Sequence, residues 1–140
     1  MTDLKQRAKQ KAGEFTQLVT SDPRWTLDDE LMCQVLGFTM YGYVFGIGRI
    51  HCFMDIEEIH EIIIGQLAGL GIGQKYVEGL VQAAHKEFQI ENNPSSNNQL
   101  IGVGHSQALQ EDMKELVESI FTNTAALRKA TARPWWKFWN

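Results

Sequence analysis

Glu57-Glu58-Ile59-His60-Glu61 is the stretch of this chain with the clearest metal-site spacing. A Glu-x-x-His pair puts Glu57 and His60 on one face of a helix, as carboxylate-bridged di-metal bundles require. Such a bundle also needs a second Glu-x-x-His and further glutamates. No second copy occurs, though Glu111 and Glu115 are available as extra carboxylates. A second set, Cys33, His51 and Cys52 with His60 or His105, has the ligand chemistry of zinc. Its spacing matches no finger or ribbon, and the adjacent His51 and Cys52 would point apart on a helix. Glu57 and His60 are thus the metal candidates, and no cofactor is expected.

Nucleophilic catalysis finds less support. A reactive cysteine needs a neighbouring base and an accessible, polar setting, whereas Cys33 and Cys52 both lie in apolar sequence and read as reduced, buried thiols. Ser106 follows His105, but adjacency is not a triad. Gly-x-Ser-x-Gly, kinase and P-loop signatures do not occur. Gly69-x-Gly71-x-Gly73 precedes a helix and could offer backbone amides to an anion. It follows a helix rather than a strand, so a glycine C-cap and tight turn explain it. If a small-ligand pocket exists, it is expected beside the glycine-bearing second helix, lined by Tyr41, Tyr43, His51 and Cys52 with His60. The balance leans away from an enzyme.

The segment that most demands a partner is Arg133-Pro134-Trp135-Trp136-Lys137-Phe138-Trp139-Asn140, which holds Trp135, Trp136 and Trp139, three of the chain's four tryptophans. Indoles alternating with cations are what interfacial anchors use, and Trp and Arg are enriched at binding centres. Burying two such rings at about 200 Å² each and roughly 25 cal/mol/Å² is worth up to about 10 kcal/mol before entropy losses. Arg133, Trp135, Trp136, Lys137, Phe138 and Trp139 are therefore the contact candidates, docked on the chain's own body, on a protein partner or second copy, or on a membrane surface.

Charge is distributed unevenly around a net −4. Asp22 to Glu118 holds fifteen acids against five Lys or Arg, while Lys5, Arg7, Lys9 and Lys11 mark one end and Arg128, Lys129, Arg133 and Lys137 the other. An acidic body repels phosphate backbones, so nucleic acid is not an expected partner. The polar start, Met1-Thr2-Asp3-Leu4-Lys5, shows no signal-peptide core and no lipidation motif. A cytoplasmic protein is expected, or a membrane-peripheral one if the tail meets lipid.

Apolar periodicity places these residues on helices and suggests no strand. Leu4, Ala8, Ala12, Phe15 and Leu18/Val19 predict a helix over 3–19. A second is expected from Thr26, through an apolar run containing Gly37, Gly42 and Gly46, to a stop at Arg49. Apolar nearly all round, it reads as the buried helix, and its glycines predict close approach of a neighbouring helix. Gln34, Thr39, Tyr41, Tyr43 and the glycines argue against a membrane span. Asp55 is expected to cap a third helix and Gln74–Phe88 to form a fourth. Asn92-Asn93-Pro94-Ser95-Ser96-Asn97-Asn98 predicts a long loop through Gly104, and a fifth helix is expected from Ser106 to Ala130 with Leu109 facing inward. The expected fold is an all-α, single-domain bundle of about five helices over residues 1–132, with the Trp-rich tail at 133–140. The expected function, reached largely by elimination, is a non-enzymatic protein–protein interaction protein: an adaptor, an inhibitor or an immunity-like binder. The alternatives are a peripheral membrane protein held by its tail and a small-ligand or metal-binding helical enzyme.

Overall fold

The computed structural model describes residues 2–51, 53–90 and 92–131. The tail expectations on Arg133 to Trp139, and the one on Cys52, lie outside the described residues. The described chain is all-helical, with no strand. Its elements are α1 (Thr2–Thr20), α2 (Glu30–Gly46) continued by a π-helical turn (Ile47–His51), α3 (Ile56–Gly69), α4 (Gln74–Gln89), α5 (Ser96–Gln107) and α6 (Lys114–Thr131).

Side-chain caps fix where several helices begin. The Asp29 carboxylate accepts from the Met32 amide at 3.1 Å and opens α2. Asp55 and Glu58 form a reciprocal capping box at α3, which satisfies two otherwise orphaned donors. The Ser95 hydroxyl accepts from the Asn98 amide at 3.1 Å and opens α5. The second helix thus starts one turn later than Thr26, because Asp29 rather than Thr26 offers the capping oxygen.

Helix α2 is the axis of the bundle. It touches each of the other five helices, and its residues are buried on every side. Its stretch Glu30–Arg49 is long and apolar enough to cross a membrane, yet the 18-residue window within it that has mean hydropathy 1.3 is 83% buried inside the bundle. The surrounding helices contribute one stripe each, such as Ala8, Ala12, Phe15 and Val19 from α1 and Ile59, Ile63 and Leu67 from α3.

The tightest packing is between α2 and α5. A Cβ on Gly42 would fall inside the Ile101 carbonyl and 2.9 Å from the His105 amide nitrogen. A Cβ on Gly104 would overlap the Thr39 carbonyl and lie 2.7 Å from the Tyr43 nitrogen. The approach is reciprocal: each helix lends a glycine to the other's backbone. A Cβ on Gly46 would lie 2.6 Å from the Ala108 Cβ, while Gly37 faces the Leu80 side chain on α4. The expectation of close helix approach along the glycines of α2 holds, and α5 is the main neighbour.

That neighbour occupies the stretch read as a long loop, so the described residues hold six α-helices where about five were expected. Asn-rich sequence is a poor helix former, but here the polar residues serve the junction. Ser95 caps the helix and donates its hydroxyl to Glu87 at 2.8 Å. Asn93 bonds Glu87, and Asn98 donates to the Asn93 carbonyl at 2.9 Å. Leu100, Ile101 and Gly104 then present a buried face, and tertiary packing overrides weak local propensity. The expected fifth helix is correspondingly interrupted between Gln107 and Lys114, and Leu109 in that break is 63% exposed rather than inward.

Candidate functional site

An open groove runs between the start of α2 and the outer side of α4. At one end Leu27, Asp28, Glu30, Cys33, Ile72 and Tyr76 line a depression of about 410 Å³. Tyr76 continues into a second depression of about 270 Å³ with Gln34, Phe38, Lys75, Gly79 and Leu80. Leu27 and Tyr76 are 41% and 39% exposed and lie on the same depression.

Local structure explains why the groove stays open. The link between α1 and α2 folds as turns held by Arg24, whose guanidinium bonds both Asp22 and Glu118 and sits 4.2 Å above the Phe121 ring. This ties the link to α6 and leaves Leu27 at the edge of the bundle. On the opposite wall the α3–α4 turn passes through Gly71 with φ +98°, where a Cβ would lie 3.2 Å from Leu27. Glycine is needed there for its backbone freedom and for clearance. Gly71 N–H bonds the Ala68 carbonyl at 3.0 Å, so the Gly69-x-Gly71-x-Gly73 run serves as a helix stop and turn.

The groove carries a negative field at the α2 end. Burial pushes the Cys33 thiol pKa up, and the carboxylates of Asp29, Asp28 and Glu30 push it further. The thiol donates to the Leu27 carbonyl at 3.3 Å and is inert by environment. The Tyr76 phenol is also raised, by burial first and then by Glu30 and Cys33. Asp29 itself is taken: it caps α2 and pairs with Arg128 from the last turn of α6. Lys75, one residue before Tyr76, is a cation on the wall of the second depression.

A separate polar cluster joins α2, α3 and α4. The Tyr41 hydroxyl lies 3.1 Å from His60 Nε2 and 3.0 Å from His85 Nδ1. A phenol donates one hydrogen bond and accepts others, so it donates to one ring and accepts from the other. Both contacts can be satisfied while at least one imidazole is neutral. With both protonated, the phenol proton loses its acceptor and two like charges face each other. Burial lowers the His60 pKa, and His85 adds to the shift; burial pushes Tyr41 up to about 12. Phe45 and Phe88 pack against Tyr41 and against each other, with His105 beyond them.

Of Tyr41, Tyr43, His51 and Cys52, the residues expected to line a pocket, the two tyrosines have described side chains. Tyr41 and Tyr43 point to different neighbours: Tyr41 to the histidines, Tyr43 edge-on to Phe15 at 5.4 Å. Tyr43 lines a smaller cleft with Arg7, Lys11 and Leu109. The side chains of His51 and Cys52 lie outside the described set. Glu57 sits exposed in the first turn of α3, while His60 turns inward to Tyr41. Among the described residues no group of three His, Cys, Asp or Glu side chains could hold a metal. Cys33 and Tyr41, the partner of His60, are about 12 Å apart along α2 at 1.5 Å per residue, and His51 and Cys52 of the zinc set lie outside the described side chains.

Sequence reasoning missed His85 and the groove. His85 sits alone in an amphipathic helix, and only the meeting of three helices gives it partners. The groove did leave a trace: Asp28, Asp29 and Glu30 are consecutive acids beside Leu27, legible as more than helix-capping residues only once one of them is assigned as the cap. No family model matches this chain, and no significant match is found among curated proteins or solved structures.

Proposed function

We propose that this protein is a non-enzymatic helical binding module, an adaptor, inhibitor or immunity-like binder, that holds a cationic, apolar segment of a protein partner in the α2–α4 groove. One observation carries the reading: large apolar groups, Leu27 and Tyr76, stand open to solvent directly beside the carboxylates of Asp28 and Glu30. Exposed apolar surface rimmed by charge is what contact faces look like. The acids steer a basic partner and set its register, while burial of the apolar strip supplies affinity. The Tyr41–His60–His85 cluster lines neither depression of the groove, so the reading assigns it to the architecture.

The test compares capture of partners by the full chain, by Tyr76→Ala and Glu30→Lys, and by Gln10→Ala on the exposed side of α1. The reading expects one set of partners lost in both groove variants and retained in Gln10→Ala, with binding that weakens as salt is raised. The same partners on all four proteins would sink it.

A further inference from the structure

We infer that the cleft between α1 and the α5–α6 break binds a small phosphorylated molecule, its phosphate held by Arg7, Lys11 and the Tyr43 hydroxyl. The cleft shares no lining residue with the α2–α4 groove. Its volume of about 160 Å³ is that of roughly five waters at about 30 Å³ each, room for a phosphate on a short stem. Three elements build it. Arg7 and Lys11 are one turn apart and so share a face of α1. Tyr43 comes from the last turns of α2, its ring set edge-on to Phe15 at 5.4 Å. There α2 passes into the π-helical turn at Ile47, a departure from α geometry that recurs at functional sites. The facing wall exists because the chain breaks between α5 and α6. Leu109, 63% exposed, and Glu111 line it.

Two sets of unanswered donors point to an anion. Acids outnumber Lys and Arg 17 to 13 in this chain, and Lys5, Arg24 and Arg128 each meet a carboxylate. Arg7 and Lys11 form no ion pair or side-chain hydrogen bond among the described residues, although Glu111 lines the same cleft. Tyr43 is 2% exposed, yet its hydroxyl has no hydrogen-bond partner among the described residues. The fully buried oxygens without a partner there are those of Thr39 and Gln107. The Tyr43 oxygen is therefore one that solvent still reaches, and the opening it lines is this cleft. Burial, and then Glu14, push its pKa up to about 12, so it meets a ligand as a neutral donor. A guanidinium fork, an ammonium and a phenol O–H together suit the oxygens of one phosphate. Glu111 sets the orientation: the phosphate turns to α1, and a hydroxyl or amino group on the stem donates to Glu111. Ile47 and Leu109 offer the stem apolar surface.

The experiment titrates the full chain with inorganic phosphate at constant ionic strength and follows backbone amide shifts by NMR. The inference expects saturating shifts at residues 108–111 and 43–47, with half-saturation at about 1 mM or below. Arg7→Gln and Lys11→Gln should each weaken binding about tenfold, the loss of one charge-assisted contact. Tyr43→Phe keeps the ring on Phe15 and should weaken it about fivefold, the loss of one neutral donor. Lys9→Gln, on another face of α1, and Tyr76→Ala, in the groove, should leave it unchanged. O-phosphoethanolamine, which adds an ammonium, should bind the wild type more tightly than phosphate does and lose that advantage in Glu111→Gln. Shifts that do not saturate, or that weaken as much in Lys9→Gln as in Arg7→Gln, would overturn the inference. So would equal binding by wild type and Tyr43→Phe, or no preference for the amino-bearing ester. Binding to phosphatidic acid vesicles without binding of soluble phosphate assigns the cations to a lipid surface and also overturns it. Partner capture is scored separately in the groove variants, so this site and the proposed function fail independently.

Discussion

Gly42→Ala is expected to be among the most damaging single-methyl additions in this protein. Alanine is the better helix former by about 1 kcal/mol, so local propensity alone predicts a gain. Packing predicts the opposite. The new Cβ would lie 2.7 Å from the Ile101 carbonyl carbon and 2.9 Å from the His105 nitrogen, where ordinary contacts are about 3.5–4.0 Å. The obstacle is backbone on both sides, so no rotamer change relieves it, and α2 and α5 must part by about 1 Å. Overpacking typically costs about 1–3 kcal/mol, and separating two helices over their whole contact belongs at the upper end. A net loss of about 3 kcal/mol, or roughly 10 °C in Tm, is expected. Gly102→Ala is the matched control, two residues from Gly104 on the same helix, with nothing within 4 Å of the added carbon. It should stabilise by about 0.5–1 kcal/mol. Urea and thermal unfolding of the three proteins decide the matter. Equal or higher stability in Gly42→Ala would refute the reciprocal α2–α5 backbone contact.

Three further outcomes follow from particular side chains. Stability should be flat above about pH 6.5 and fall as pH drops below it, because His60 has a depressed pKa in the fold and the unfolded chain takes up the proton first; chemical denaturation of wild type and Tyr41→Phe across pH 5–8 checks this, and a rise on acidification would contradict it. Stability should also fall from about pH 10 toward 12, since Tyr41 and Tyr43 are each held up to about 12 while unfolded phenols ionise near 10; phenolate absorbance should then appear together with unfolding rather than before it. Thr39→Val should hold or raise stability by up to about 1 kcal/mol, because the Thr39 hydroxyl is buried without a hydrogen-bond partner among the described residues; a clear loss in urea unfolding would reveal a partner for that oxygen.

The helical class, the buried second helix and the Asp55 cap were legible because each is written locally. Apolar residues around all of α2 are accommodated by a bundle that buries it, and an aspartate followed three residues later by Glu58 fits a capping box. Helix α5 was not legible for the converse reason. Its local sequence, Ser96-Asn97-Asn98-Gln99, favours turns, and its stability comes from Gly42, Thr39 and Glu87, which are distant in sequence. The candidate site divides along the same line. His60 could be singled out from its helix, but its partner is Tyr41 rather than Glu57, because the inward face of α3 meets α2 while Glu57 stays in water. Helical spacing alone would put Tyr76 beside Val77 on the inward stripe of α4, and it is instead the residue at which that stripe turns out to the surface.

The open groove and the close α2–α5 contact are two consequences of one arrangement. A helix that is apolar all round must be covered on every side, and the cover here is unequal. Against α5, glycine in both helices removes the side-chain layer and lets backbones touch. On the α4 side, Gly37 draws in only the tip of Leu80, and full-size side chains, Phe38, Leu80 and Tyr76, fill the interval. Toward the start of α2 that interval is bounded not by a helix but by turns through Leu27 and Gly71. Turns cannot offer a continuous apolar face, so the covering is incomplete exactly where Asp28 and Glu30 stand. The acids then have a consequence beyond capping: on the proposed reading, they favour a cationic segment to complete the cover.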